Sequence, residues 1–257
     1  MKKDLEEIID FRYRSDYESI DEFRKRDGYW SVFSESLKET DCNHLIPCNG
    51  TNCRDLLISS KPEFLSHSRV PCIYTTPLSF ENNDQIDGLE RAAAESFMYY
   101  GRDVPPAVQD APDFRIERIG KDRMREYVDS FYRSFSDGPY AGLGQEYGTV
   151  EQRFFDAPPK GFEQLIFLLE YKGRVIGQAR TVIENDMAFF YALGIDKDFR
   201  FNGLSGEFLL SHRIKECFDR GAKNIFLQTA QDSRPEGFDL KHGFRRLFTG
   251  RYWIEGK

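Results

Sequence analysis

Long apolar runs are missing from this 257-residue sequence. The two longest, Leu165-Ile166-Phe167-Leu168-Leu169 and residues 187–193, stop far short of the roughly 18 apolar residues that a bilayer-spanning helix needs, so no membrane helix is expected. A basic surplus is missing as well. Lys and Arg number 36 against 43 Asp and Glu, a net charge of −7, and no window carries a basic stripe, which argues against a dedicated nucleic-acid binder. Cysteine is scarce and odd in number, at five, so thiols are expected rather than a disulfide framework. The opening Met1-Lys2-Lys3-Asp4-Leu5-Glu6-Glu7 lacks the apolar core of a signal peptide, and a cytoplasmic location is the expectation.

What is present is aromatic: Phe, Tyr and Trp make up 15% of the chain, too much for a disordered acidic protein. A Pro-rich stretch over residues 103–113 divides two segments of mixed helix and strand pattern, and a boundary is expected there. Beyond it, residues 114–119 alternate like a strand. Residues 121–135 carry Met124, Tyr127, Val128, Phe131 and Phe135 at helical spacing. A Gly-rich loop over 137–144 leads to a short helix around 150–155. Three apolar runs, 164–171, 175–184 and 188–195, are joined by Lys172-Gly173 and Asn185-Asp186, the pattern of an antiparallel meander. A helix over 205–220 ends at Gly221; a strand over 224–229, a short helix from Pro235 and a strand over 244–254 complete the segment. The order β-α-α-β-β-β-α-β-α-β gives the fold class α/β, a mixed sheet with helices on its faces. The helical crossover into 224–229 implies a parallel pair, with ligands at the opening strand ends.

The segment Leu193-Gly194-Ile195-Asp196-Lys197-Asp198-Phe199-Arg200-Phe201-Asn202-Gly203-Leu204-Ser205 resembles the acetyl-CoA-binding motif of the GNAT (Gcn-related N-acetyltransferase) superfamily. In that pattern an apolar strand and a turn lead to Arg/Gln-x-x-Gly-x-Gly/Ala at a helix start. Arg200, Gly203 and Ser205 take those places, Gly206 follows one step later, and His242-Gly243-Phe244 matches the terminal Gly-Phe signature. The physical reason is that a diphosphate needs converging backbone amides and a helix N-terminus, and Cβ atoms would block its approach. Ser205 departs from the usual small apolar residue. The resemblance covers residues 114–254 and implies the GNAT acyltransferase fold. It implies that Arg200, Phe201, Asn202, Gly203, Leu204, Ser205 and Gly206 cradle the diphosphate of acetyl-CoA, the cosubstrate. It also implies that backbone groups of Leu193 and Ile195 pair with pantetheine amides in a V-shaped opening between residues 191–195 and 224–229.

Acetyl transfer to an amine requires a deprotonated amine and a proton source for the departing thiolate. The family's frequent helix Tyr falls at Asp239 here, and its usual Asn near Asp232, so both groups depart from the pattern. Asp239 is the candidate acid at that place, with Tyr191 and Tyr147 as alternatives. Glu184, Glu170 and Glu146 are candidate bases, with Glu184 preferred.

Residues 1–110 carry no Arg-x-x-Gly-x-Gly. A strand over 44–48, a helix to His67, a strand over 72–76 and a helix over 85–97 outline a degenerate GNAT-like half, with an unrelated helical cap as the alternative; residues 113–257 form the catalytic domain. Cys42, His44, Cys48 and Cys53 lack the tight Cys-x-x-Cys pairing of a structural zinc site and are read as buried thiols, Cys48 and Cys53 being reactive if exposed. The expected activity is acetyl transfer from acetyl-CoA to a small amine or peptide by direct attack in a ternary complex, by a monomer or homodimer with no nucleic-acid, membrane or metal partner. A non-catalytic acyl-CoA sensor, and further off an aminoacyl-tRNA-dependent transferase, are the alternatives.

Overall fold

The computed structural model describes residues 4–48, 50–79, 85–108, 111–136, 150, 152–153, 155–156, 158–200 and 203–256. In chain order the elements are α1 (Leu5–Arg14), β1 (Glu22–Arg26), β2 (Tyr29–Phe33), β3 (His44–Pro47), α2 (Cys53–Ser66), β4 (Ile73–Thr75), β5 (Leu89–Tyr100), β6 (Phe114–Arg118) and α3 (Met124–Ser134). There follow β7 (Glu163–Tyr171), β8 (Arg174–Glu184), β9 (Met187–Ile195), α4 (Leu204–Asp219), β10 (Asn224–Ala230), α5 (Arg234–Lys241) and β11 (Phe244–Glu255). The Gly-rich loop expected at 137–144 lies outside the described residues, as does part of the short helix expected at 150–155. Among the described residues no helix is long and apolar enough to cross a membrane.

The chain forms two compact units that are not consecutive in sequence. One comprises Met1–Met98, Thr229–Gly237 and Arg246–Lys257; the other comprises Tyr99–Gln228 and Phe238–Arg245. The first gives way to the second ahead of the Pro-rich stretch at 103–113.

In the first unit the strands run β1-β2-β3-β4-β11-β5. The pairs β1·β2 and β2·β3 are antiparallel, β3·β4 is parallel and β4·β11 antiparallel, so this part is a mixed sheet and not a helical cap. Two helices start on side-chain caps: Asp4 accepts from the Glu6 amide, and Asn52 accepts from the Asp55 amide at 3.0 Å. Phe33, Leu45, Leu57, Phe64, Ile73 and Trp253 fill the core. The helix expected over 85–97 is instead a turn followed by β5. Gly88, at φ +78°, reverses the chain directly before Leu89, and pairing beside β11 overrides the helical propensity of Ala92-Ala93-Ala94. Phe97 then stacks on Phe248 at 4.8 Å.

Gly250 shows how tightly this unit closes. A Cβ there would stand 1.9 Å from the hydroxyl oxygen of Tyr74, whose side chain is fully buried and stacked on Tyr252 at 4.4 Å. With no room to yield, Gly250→Ala is expected to destabilise the protein by about 3 kcal/mol in urea unfolding; an unchanged midpoint would show that Tyr74 can move.

The five cysteines are all buried and form no disulfide. Burial pushes the Cys48 thiol up to about 11 and the Cys217 thiol to about 12, so these thiols stay protonated near neutrality; Cys53 is buried too, and the reactivity considered for Cys48 and Cys53 has no exposed sulfur to act through. His44 is bound on both nitrogens: Nδ1 donates to the Thr40 carbonyl at 2.8 Å, which makes Nε2 the acceptor for the Tyr13 hydroxyl at 2.8 Å. Among the described residues no group of three or more His, Cys, Asp or Glu side chains is arranged to hold a metal ion.

The second unit holds β10-β9-β8-β7-β6. The meander forms as expected, with Lys172 and Gly173 at φ +51° and +77°, and Asn185 at φ +55°, turning the hairpins. β6·β7, β7·β8 and β8·β9 are antiparallel, and β10 joins β9 in parallel after the α4 crossover.

Candidate functional site

The β9·β10 register runs from Met187–Asn224 to Phe190–Leu227 and ends there. β9 continues to Ile195, still paired with β8, so residues 191–195 present their other side with no β10 partner in that register. Tyr191, Ala192 and Leu193 are half-buried in an otherwise buried strand. The ladder on the β8 side is irregular at the same point: Arg180 faces Tyr191 while Ala179 faces Leu193, which leaves Ala192 as the extra residue of a bulge.

Arg213 of α4 sits behind this irregularity. It is buried, its Nη2 donates to the carbonyls of Arg180 and of Tyr191, the latter at 2.9 Å, and its Nε donates to Thr181 Oγ1 at 3.2 Å. Its guanidinium lies 4.1 Å over the Phe190 ring. Burial pulls its pKa down to about 10, against which the charge of Asp239 acts; it remains a cation at neutral pH. The Arg180 guanidinium lies 4.2 Å over the Tyr191 ring. Neither arginine was singled out in the sequence. The signal for Arg213 was there, a charge on the same helix face as Leu209, Leu210 and Cys217.

After Ile195 the chain makes a short turn and enters α4. Gly203 is its N-cap, at φ +101° and with no side-chain cap on the helix amides. That conformation suits Gly alone among common residues and leaves the first-turn N–H groups for an external acceptor. The turn is closed by the Gly203 amide on the Arg200 carbonyl at 2.7 Å and by the buried Ser205 hydroxyl, which donates to the Phe199 carbonyl. Ser205 therefore holds the loop shape. Gly206 admits the Phe238 ring of α5, whose Cζ would stand 3.2 Å from a Cβ there. Arg200 reaches backwards: Nε donates to the Ile195 carbonyl and Nη2 to the Ser134 carbonyl, both at 3.2 Å. Leu204 is exposed at the helix start. Phe201 and Asn202 lie outside the described residues.

Of the groups considered for proton transfer, Tyr191 stands on the open part of β9. Glu184 pairs with Met187 at the hairpin end of β8, four positions from Arg180 and so about 13 Å from the Tyr191 level. Glu170 is held by Arg123 at 2.9 Å. Asp239 is half-buried on α5. Asp232, at φ +57°, pairs with Arg246 at 3.3 Å. Glu146 and Tyr147 lie outside the described residues.

Residues 123–244 match the model of the Acetyltransferase (GNAT) family. No curated protein matches the chain. Among solved structures, a GCN5-related N-acetyltransferase from Kribbella flavida is similar over 100% of this chain and 97% of its own, at 9% identity and a TM-score of 0.68. One from Sphaerobacter thermophilus is similar over 88% and 76%, at 13% identity and a TM-score of 0.61. A tandem GNAT protein from the clavulanic acid biosynthesis pathway is similar over 79% and 70%, at 13% identity and a TM-score of 0.50. With the interrupted β9·β10 pair and the Gly203 helix start inside it, the segment 123–244 carries the pattern of the GNAT acetyltransferase family, and the fold of the whole chain is a GNAT fold.

Proposed function

We propose that this protein is an acetyl-CoA-dependent N-acetyltransferase acting on a small amine by direct attack in a ternary complex. The observation that carries this reading is the end of β9·β10 pairing at Phe190–Leu227, with β9 running on to the uncapped α4 start at Gly203. An extended amide-bearing arm fits beside Leu193 and Ile195, whose backbone groups would take its hydrogen bonds. The diphosphate would lie on the α4 N-terminus, with residues 200–206 around it. Arg200 acts in this reading by bracing the loop against Ile195 and Ser134.

The acceptor amine attacks the thioester carbonyl carbon, the C–N bond forms, and the C–S bond breaks with its electron pair leaving on sulfur. We assign Tyr191 the proton taken up by that sulfur, because its side chain stands on the open stretch of β9; the proton that the nitrogen sheds on becoming an amide passes to solvent, from which the tyrosinate is reprotonated. Asp239 then serves as counter-charge to Arg213, and Glu184 has no direct contact with the reacting atoms. In this reading residues 113–257 make the catalytic domain and residues 1–110 a degenerate GNAT-like half, in keeping with a likeness of fold that runs over the whole chain.

Incubation with acetyl-CoA and a panel of amines, followed by free thiol, tests the activity. Thiol release dependent on at least one amine is expected. Coenzyme A binding without turnover on any amine would make the protein an acyl-CoA sensor instead. Tyr191→Phe is expected to lower kcat about 100-fold with KM for acetyl-CoA unchanged; an unchanged kcat removes Tyr191 from the proton path.

A further inference from the structure

We propose that the second unit carries another ligand site, for a small zwitterionic α-amino acid, on the side of β9 away from β10. A cavity of about 320 Å³ opens between the end of α3, the start of β8 and the turn that follows β9, walled by Tyr132, Arg133, Arg174, Asp196, Lys197 and Asp198. Strand order separates it from the opening described above: Arg174 begins β8, on one flank of β9, whereas β10 lies on the other.

The charges on its wall do not neutralise one another. Arg133 is engaged, its Nε donating to Asp196 Oδ2 at 2.8 Å and its Nη2 to the Val175 carbonyl at 3.1 Å. Arg174 and Lys197 have no ion pair among the described residues, and the Arg174 guanidinium is stationed 4.7 Å over the Phe199 ring. Asp198 likewise makes no ion pair among the described residues. Asp196 is the decisive group: its side chain is 6% exposed, and its Oδ1 is buried without a hydrogen-bond partner among the described residues. A buried carboxylate oxygen in that state calls for an N–H or O–H donor.

Two unpaired cations and two carboxylates with acceptor capacity share one opening. A dianion would press a charge on Asp196 and Asp198, and a diamine would press one on Arg174 and Lys197. An ammonium and a carboxylate on the same small molecule satisfy both sets, the ammonium beside the carboxylates of Asp198 and Asp196, the carboxylate on Arg174 and Lys197.

Calorimetry of the full chain with each of the common α-amino acids and with L-norvaline, valerate and butylamine tests this. At least one amino acid, or L-norvaline, is expected to bind with unit stoichiometry, valerate and butylamine at least about tenfold more weakly than L-norvaline. The double variant Arg174→Glu/Lys197→Glu and the single variant Asp198→Lys, all at exposed positions, are expected to lose this binding while melting like the parent. Coenzyme A is expected not to displace the amino acid. Absence of binding by every amino acid, equal binding of the two truncated analogues, retention of affinity in the variants, or displacement by coenzyme A would each overturn the proposal.

Discussion

Gly203→Glu abolishes coenzyme A binding while the protein stays folded: this is the largest effect expected of any single substitution at the site. Gly203 is the N-cap of α4, and a Cβ there meets only Phe238 Cε2 at 3.9 Å, so space is not limiting. The φ of +101° costs any side chain roughly 1–2 kcal/mol, which Gly203→Ala measures alone. The carboxylate adds like-charge repulsion with the diphosphate, about 4 kcal/mol for charges about 4 Å apart at an effective dielectric of about 20, or roughly a thousandfold in affinity. Calorimetric titration of the parent, Gly203→Ala and Gly203→Glu therefore separates strain from charge. If the Glu variant binds coenzyme A as the parent does, the diphosphate does not sit at this helix start.

His44→Gln is expected to flatten the acid limb of the stability curve. Burial, the dominant cause, holds the His44 pKa down at about 3, against 6.5 for an ordinary imidazole. Between those values the unfolded chain binds a proton that the folded protein refuses, so stability falls as pH drops through the window and is independent of His44 above it. The slope approaches about 1.4 kcal/mol per pH unit. Among the described residues the imidazole meets rings and a cation: Tyr13, Tyr74 and Tyr252 are in ring contact with it, and Arg12 opposes its protonation. Asp41, whose carboxyl is raised by burial and by Glu39, works in the opposite sense, but it is present in both proteins and cancels in the difference. Urea unfolding from neutral pH to about pH 4 reads that difference; parallel curves for parent and variant would mean that His44 is protonated in the folded state.

The meander was legible in the sequence because each of its signals is local. Lys172-Gly173 and Asn185-Asp186 are adjacent residues whose conformations favour tight hairpins, and the apolar runs between them set strand length. Gly203 was legible for the same reason, since only a backbone requirement explains a glycine before the first turn of α4. β5 was not. Its alanines favour a helix in isolation, and what makes it a strand is a place beside β11, about 150 residues later in the chain. Arg200 shows a second limit. The sequence supplies a positive charge at the motif position but not the direction in which it points, and its donors turn to the Ile195 and Ser134 carbonyls. The bulge at Ala192 left no side-chain signature at all, because it is a matter of backbone register.

The first unit takes β4 from one end of the chain and β11 from the other: Trp253 Nε1 donates to Thr75 Oγ1 at 2.9 Å across 178 positions. On the ribosome, where synthesis proceeds at about 5–20 residues per second, β4 is exposed for about 10–30 s before its antiparallel neighbour emerges. The residues of the second unit up to Gln228 leave the ribosome earlier and have their meander and crossover to hand. The order of folding is thus set against the order of synthesis, with the N-terminal unit the last to close, and its early strands need protection from other chains for longest.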